Sequence, residues 1–344
     1  MHGLFQQRVS GDDALLRLAR LRFAQMGVSA EVYADSRDGL EYMLRYAPTA
    51  PRLPVVHLDR DVNLLQEQGR AVVRDFAARF AGRITGLVVH DRRGMGDLPA
   101  GWLAAMHDLD AVLGKEAPDV TLFVEYAAGL EPGRFVQLAE HLQDAVQVSC
   151  CIDVGHLGIR QACARFARHH PDLALTDLAV TDPRLPDLAA DVQAAVGGAL
   201  GDVLDVVRAV GRLGKPVHFH LHDGHPLVRG LSDHFSFLTR VPVPFGYEGR
   251  RSLGMLYGPG GLASIVSAAI KACRPRGVSF TIEVHQVEGR LPLGDAASLF
   301  PNWRDTTNAE RMNYWLSVLA ENATLISQAI ADLPELIRAR LPQP

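Results

Sequence analysis

The stretch VHFHLHDGHP, Val217 to Pro226, holds four of the chain's 14 histidines within eight residues, with Asp223 among them. Imidazoles change charge near neutral pH and are the commonest metal ligands, so the cluster points to proton transfer or metal binding. In an extended strand, alternate residues share a face. His218, His220 and His222 therefore fall on one side, and Val217, Phe219 and Leu221 on the other. In FTIEVH the same parity groups Thr281, Glu283 and His285 against Phe280, Ile282 and Val284. It also groups Asp153 with Cys151 and Ser149. Four further apolar runs end in His57, His90, Glu125 and Asp153, each just before a loop. Every one of these strand-end side chains is of a type that can ligate a metal or transfer a proton.

The elements that must position them alternate along the whole chain. Strand candidates are GLFQQRV, AEVYAD, LPVVHLD, ITGLVVHD, VTLFVEYA, VQVSCCIDV, PVHFHLHD and VSFTIEVH, separated by amphipathic helical patterns. Strict alternation means a parallel sheet, and eight units predict one (β/α)8 TIM barrel domain over residues 1–344. No GxGxxG follows the first strand, which speaks against a doubly wound dinucleotide fold. Strands covered on both faces carry few polar residues except at their C-terminal ends, where barrel active sites lie. The six later strands end in His57, His90, Glu125, Asp153, His220 and Glu283, as that rule requires. The connections after strands 6 and 7, residues 157–214 and 223–258, are long enough to form extended loops over the catalytic face. The first contains a helical stretch, ADVQAAVGGALGDVLDVVRAV. The second carries Phe245, Tyr247, Arg250 and Arg251, suited to a lid or a phosphate contact.

Composition narrows the partners. The chain is 48% hydrophobic and 22% charged, with a formal net charge of −4, so no global basic field calls for nucleic acid. No apolar run approaches bilayer length, and the N-terminal residues lack the pattern of an export signal; the expected location is cytoplasmic. Cys150, Cys151, Cys163 and Cys273 show no CxxC spacing and read as buried free thiols.

LFVEYA, CIDVGH, HLHD and FTIEVH, in this order at successive strand ends, resemble the xylose-isomerase-like barrel superfamily, which contains sugar isomerases, epimerases and endonuclease IV. The resemblance spans about His57 to Glu283. It implies that Glu125, Asp153, His220 and Glu283 hold one divalent cation. Three carboxylates and an imidazole suit Mn, Zn, Mg or Co and argue against a thiolate site. In the epimerase branch Glu125 and Glu283 would be catalytic, moving a proton on opposite sides of a small carbohydrate or phosphorylated substrate, with His156 contacting it. Two features depart from that branch. Pro226 stands where it has an arginine, and His57 and His90 are extra ligand types. The endonuclease IV branch uses matching histidines for a second zinc and would add DNA as a partner. Its third zinc would take His156 and a D-x-H; here Asp233 and His234 are adjacent instead, and His225 is a substitute. The isomerase or epimerase reading stands ahead of the phosphodiesterase, and a homo-oligomer is left open.

Several residues have plainer expectations. His218 lies one layer deeper and reads as a hydrogen-bonded core residue. His222 and Asp223 are expected to orient His220 or touch substrate. Asp59 and Asp91 could pair with His57 and His90. The turn in LYGPGGLASIV offers a helix N-terminus to a phosphate.

Overall fold

In a computed structural model the described residues are 1–5, 12–47, 52–178, 182–227, 234–238, 241–247, 250–273, 277–284 and 308–334. Strands β1 (His2–Phe5), β2 (Ser29–Ala34), β3 (Val55–Leu58), β4 (Gly86–His90), β5 (Thr121–Tyr126), β6 (Val148–Asp153) and β7 (Val217–Leu221) pair in parallel. A last barrel strand, β10 (Val278–Ile282), pairs with β7 and β1 and closes the eight-stranded ring. The expected (β/α)8 barrel is the fold.

Helices α1 (Asp13–Gln25), α2 (Arg37–Tyr46), α3 (Glu67–Phe80), α4 (Ala100–Glu116) and α5 (Pro132–His141) connect the first six strands. Helix α6 (Val154–Ala167) starts at once after β6, its first turn capped by Asp153, whose Oδ1 accepts from His156 N at 2.8 Å. The 27-residue α7 (Leu185–Gly211) then leads back to β7. Together α6 and α7 bury Ile159, Phe166, Val192 and Val196 in a second apolar cluster with Leu227, Phe235 and Leu256. The connection after β7 includes an antiparallel hairpin, β8 (Val241–Tyr247) and β9 (Arg250–Gly254), ahead of α8 (Gly258–Ala272). Helix α9 (Asn308–Ala331) completes the outer layer, and Trp315 donates its indole N–H to the Val284 carbonyl at 2.9 Å. Among the described residues no helix is long and apolar enough to cross a membrane.

Alternation sorts the strand residues as their parity predicts. Val217, Phe219, Leu221, Phe280 and Ile282 pack outward into the main core against the helices. Inside the ring a small apolar plug of Val55, Val88, Phe123 and Cys151 fills the middle. Gly86 makes room for it, since a Cβ there would lie 2.7 Å from the Phe123 ring. Above the plug, register places Tyr33 beside His57, His90 beside Glu125, and Asp153 beside His220. Polar side chains from different strands thus reach one level at the C-terminal mouth.

Asp91 holds the turn that follows β5. Its carboxylate accepts from Ala127 N, Gly129 N and Leu130 N at 2.9–3.0 Å, fixing the chain just past Glu125. Burial pushes its pKa up to about 6, against the pull of those N–H groups. Removing the carboxylate strands three backbone donors, so Asp91→Ala should cost about 3 kcal/mol at roughly 1 kcal/mol per bond. A folded pKa raised above the unfolded value means proton uptake on folding between roughly pH 4 and 6. The side chain's contribution is therefore largest at the acid end of that window and declines as pH rises through 6. Urea unfolding at pH 4.5 and 7 should show the wild type's advantage over Asp91→Ala shrinking at the higher pH.

Candidate metal centre

The mouth of the barrel and the layer just below it concentrate Glu31, Glu125, Asp153 and Glu283, all buried, among the imidazoles of His57, His90, His218, His220 and His222. Glu125, on β5, is the hub. Its Oε2 lies 2.8 Å from His57 Nε2 and 3.3 Å from His90 Nε2, and its Oε1 lies 3.1 Å from His220 Nδ1. The same His220 Nδ1 is 3.1 Å from Glu283 Oε2, so two carboxylates converge on one ring nitrogen. On the far side, Asp153 Oδ1 is 2.8 Å from His222 Nε2, and Glu283 Oε1 is 3.5 Å from His234 Nε2.

Among the described residues five groups place ligand atoms close together; two, Glu31 with His57 and His220 and Cys151 with His218 and His220, lie deeper in the barrel, and the other three are chained by shared carboxylates. His57, His90 and Glu125 form one; Glu125, Asp153, His220 and Glu283 form the next; Asp153, His222, His234 and Glu283 form the third. Within each set the donor atoms lie inside 4.8 Å of one another. His156 stands over the third, its ring centroid 5.3 Å from that of His234 and 5.7 Å from that of His222.

Hydrogen bonding shows what such sets require. His57 Nδ1 is 3.0 Å from the Leu58 carbonyl, and His222 Nδ1 is 2.9 Å from the Asp223 carbonyl. Carbonyls only accept, so each Nδ1 carries a proton, and a neutral ring then presents a bare Nε2. That lone pair faces a carboxylate at 2.8 Å in both cases. Two acceptors at this distance repel unless a proton or a cation lies between them. Protonation is one answer. Burial lowers the pKa of His57, but the Glu125 carboxylate outweighs it, and Asp153 does the same for His222; both are raised. Divalent cations are the other answer, and a carbonyl-anchored Nδ1–H with a free Nε2 is the usual arrangement of a metal-bound histidine. Buried atoms at the site agree: Asp153 Oδ2, His156 Nδ1, His220 Nε2 and Glu31 Oε1 make no hydrogen bond. The carboxylate–imidazole donor set suits Zn, Mn or Co.

Charge at the centre is tightly coupled. Burial raises the Glu125 pKa, yet His220, His90 and His57 reverse that and hold the carboxyl well below its usual range. His220 is pushed up despite burial, by Cys151, Glu31, Glu125 and Glu283. His90, the one ligand of its set with a side chain 26% exposed, is pushed down to about 4, chiefly by burial.

Several expectations change in the structure. Asp59 and Asp91 do not pair with His57 and His90; Asp59 accepts from Asp61 N, Asp91 serves the β5 turn, and both histidines turn to Glu125. Asp223 neither orients His220 through its side chain nor faces the site. Its carboxylate accepts from Gly224, Leu256, Tyr257 and Gly258 N, and so holds the turn that enters α8. His225 folds into its own turn, accepting from Leu227 N at 3.2 Å, apart from the three sets. His218 sits in the core network as expected. Asp233 and His285 lie outside the described residues.

Two residues at the site were not anticipated, both inward-facing on β2. Tyr33 donates its hydroxyl to Glu283 Oε1 at 3.2 Å and packs against the His57 ring. Glu31 lies beneath, 2.9 Å from His220 Nε2 and 3.0 Å from His218 Nε2. Glu-x-Tyr parity in AEVYAD carried the signal, since a carboxylate inside a covered strand needs a partner.

No family model matches the chain, and no curated protein matches it. Among solved structures it is similar to a glycoside hydrolase family 5 mannosidase from Rhizomucor miehei, with 13% identity, TM-score 0.49, and 96% of this chain and 94% of that one covered. It is also similar to an L-ribulose 3-epimerase, with 11% identity, TM-score 0.39 and coverages of 97% and 99%. A thermostable mutant of the xylanase Xyn10A from Cellvibrio japonicus matches with 9% identity, TM-score 0.44 and coverages of 81% and 85%. Likenesses of this size assign neither a family nor an activity.

Gly155 tests the third set. A Cβ at this position would lie 1.9 Å from the His222 ring, so the imidazole occupies space that only glycine leaves. Gly155→Ala should displace His222, lower stability by about 1–3 kcal/mol through overpacking, and reduce the zinc retained after gel filtration. Zinc retention equal to wild type would count against His222 as a ligand.

Proposed function

We propose that the barrel is a divalent-metal-dependent hydrolase of phosphate esters, acting on a sugar-type phosphorylated substrate through a centre of two or three ions. The observation that carries this reading is Glu125, whose two oxygens reach different ligand sets: Oε2 faces His57 and His90 at 2.8 and 3.3 Å, and Oε1 faces His220 at 3.1 Å. A carboxylate so placed would serve two ligand sets at once, and an isomerase with one ion has no use for His57 and His90. The resemblance of the strand-end motifs to xylose-isomerase-like barrels supports a substrate built on a sugar.

Residues His57, His90 and Glu125 would hold one ion, Glu125, Asp153, His220 and Glu283 a second, and Asp153, His222, His234 and Glu283 a third. Bound there, the ions would supply a water of lowered pKa and positive charge for the phosphoryl oxygens. The protein's own groups do the rest. His90, the most exposed histidine of its set, borders the route by which substrate enters. Tyr33, through Glu283, fixes one carboxylate oxygen and offers a phenol near the reacting atoms. His156, next to the third set, is placed to donate to a phosphoryl or leaving-group oxygen.

One observation favours a second reading. Glu125 and Glu283 each lie 3.1 Å from His220 Nδ1, so two carboxylates face a common point, as proton transfer in a sugar isomerase or epimerase needs.

The two separate cleanly in solution. Zinc-loaded protein should release phosphate or alcohol from bis(p-nitrophenyl) phosphate and from a panel of phosphorylated sugars, and His90→Ala should lose about 10- to 100-fold of that rate. Incorporation of deuterium from deuterated solvent into the carbon-bound positions of unphosphorylated ketoses, with no ester cleavage, would instead establish the isomerase. Abasic-site DNA in the same panel tests nucleic acid directly; cleavage that weakens steeply with salt would make DNA the substrate.

A further inference from the structure

Beneath the three chained sets lies a contact that no proton satisfies. Glu31 Oε1 and His220 Nε2 are 2.9 Å apart, both are buried, and neither makes a hydrogen bond. The rest of each side chain is engaged elsewhere. Glu31 Oε2 accepts from Thr281 Oγ1 at 2.6 Å and lies 3.0 Å from His218 Nε2. His220 Nδ1 is hydrogen-bonded to Glu125 Oε1 at 3.1 Å. Glu125 is held ionised and only accepts, so that bond places a proton on Nδ1 and leaves Nε2 bare in the neutral ring. A second proton, on Nε2, does not close the contact either: at 2.9 Å a bond would form if the N–H pointed at Oε1.

A cation resolves what a proton does not. Two atoms held on one zinc ion at about 2.0–2.1 Å, with an angle of about 90–110° between them, stand about 2.8–3.4 Å apart, and the nitrogen lone pair points at the ion instead of the oxygen. The contact between Glu31 and His220 has that spacing and that off-line direction. His57 completes the group: it offers a ligand atom within 4.8 Å of those of Glu31 and His220, and its ring stacks on that of His220 with centroids 5.7 Å apart. A carboxylate and two imidazoles suit Zn2+ or Co2+.

We propose that Glu31, His57 and His220 form an inner site for one divalent cation, beneath the three chained sets, and that filling it withdraws ligands from them. His57 Nδ1 is anchored on the Leu58 carbonyl, so the ring has only the Nε2 lone pair to give. It serves the inner ion or the ion beside His90 and Glu125, not both. A His220 that gives Nε2 to the inner ion keeps its Nδ1 proton on Glu125 and leaves the central set to its three carboxylates. Glu31, His57 and His220 are all buried, and a closed site of this kind holds an ion without offering it to substrate. The inner ion is therefore an off state, reached when metal is in excess. That consequence for hydrolysis rests on the function proposed above; the inner site itself does not.

The test is an anomalous difference map at the zinc edge, from crystals of the full chain equilibrated with increasing zinc, for wild type and Glu31→Gln. The position of a peak separates a ligand from a residue that only orients one. In wild type at high zinc a peak should stand within about 2.3 Å of Glu31 Oε1 and His220 Nε2, and the peak beside His90 and Glu125 should fall as it rises. Glu31→Gln should lack the inner peak at the zinc concentration that fills it in wild type; if that variant does not fold, the wild-type series decides alone. Wild-type peaks confined to the chained sets at saturating zinc would overturn the inner site and leave the metal centre standing. No peak anywhere would overturn both, and an inner peak alone would uphold the inner site while removing the centre above it. Full inner and outer peaks together would contradict the sharing of His57.

Discussion

Four carboxylates buried at and just beneath the mouth of one barrel must be neutralised, and the structure is organised around that constraint. Glu31, Glu125, Asp153 and Glu283 lie out of water within reach of one another's partners. Isolated, each would cost several kcal/mol. Imidazoles answer them pair by pair: His57 and His90 at Glu125, His222 at Asp153, His218 and His220 at Glu31. The carbonyl-anchored Nδ1 atoms of His57 and His222 leave lone pairs toward carboxylates, a frustrated arrangement for neutral rings and a natural one for metal ligands. The same constraint explains why the plug of Val55, Val88, Phe123 and Cys151 stops short of the mouth.

Around this centre the fold supplies rigidity where the chain leaves the strands. Asp91 and Asp223 are also buried, and each spends its carboxylate on backbone N–H groups, three and four respectively. Asp91 secures the turn beyond Glu125. Asp223 ties the entry of α8 to the end of β7, and the Asp223–Phe235 bridge carries the chain back toward His234. Loops over a barrel's catalytic face tend to be mobile; these two aspartates fix the segments that abut the ligands. Gly155 makes a quieter contribution by leaving room for His222.

Much of this was legible in the sequence, for a physical reason. Period-two alternation in a closed barrel sends every second residue inward, so His57, His90, Glu125, Asp153 and His220 could be assigned to the mouth from strand ends alone. Glu31 and Tyr33 obey the same parity but precede the end of their strand, where attention to terminal residues passes over them. Asp223 was misread because its position beside His222 suggests a shared task; which way a loop carboxylate turns depends on distant N–H groups, here those of Leu256, Tyr257 and Gly258. Nor could spacing show that His222 and His234 come together, with ring centroids 4.0 Å apart, because it is the bridge between Asp223 and Phe235 that sets their neighbours side by side. The use of His57 and His90 at Glu125, rather than at the nearby aspartates, likewise needed three strands to be placed in register.

The account stands on there being more than one ion in this mouth. Elemental analysis of the full chain, purified without chelator and equilibrated with zinc before gel filtration, measures that directly. Two or three zinc ions per chain are expected. One ion per chain would contradict the bridging role of Glu125 and leave the isomerase reading in its place, and none would remove the metal centre from which the function is argued.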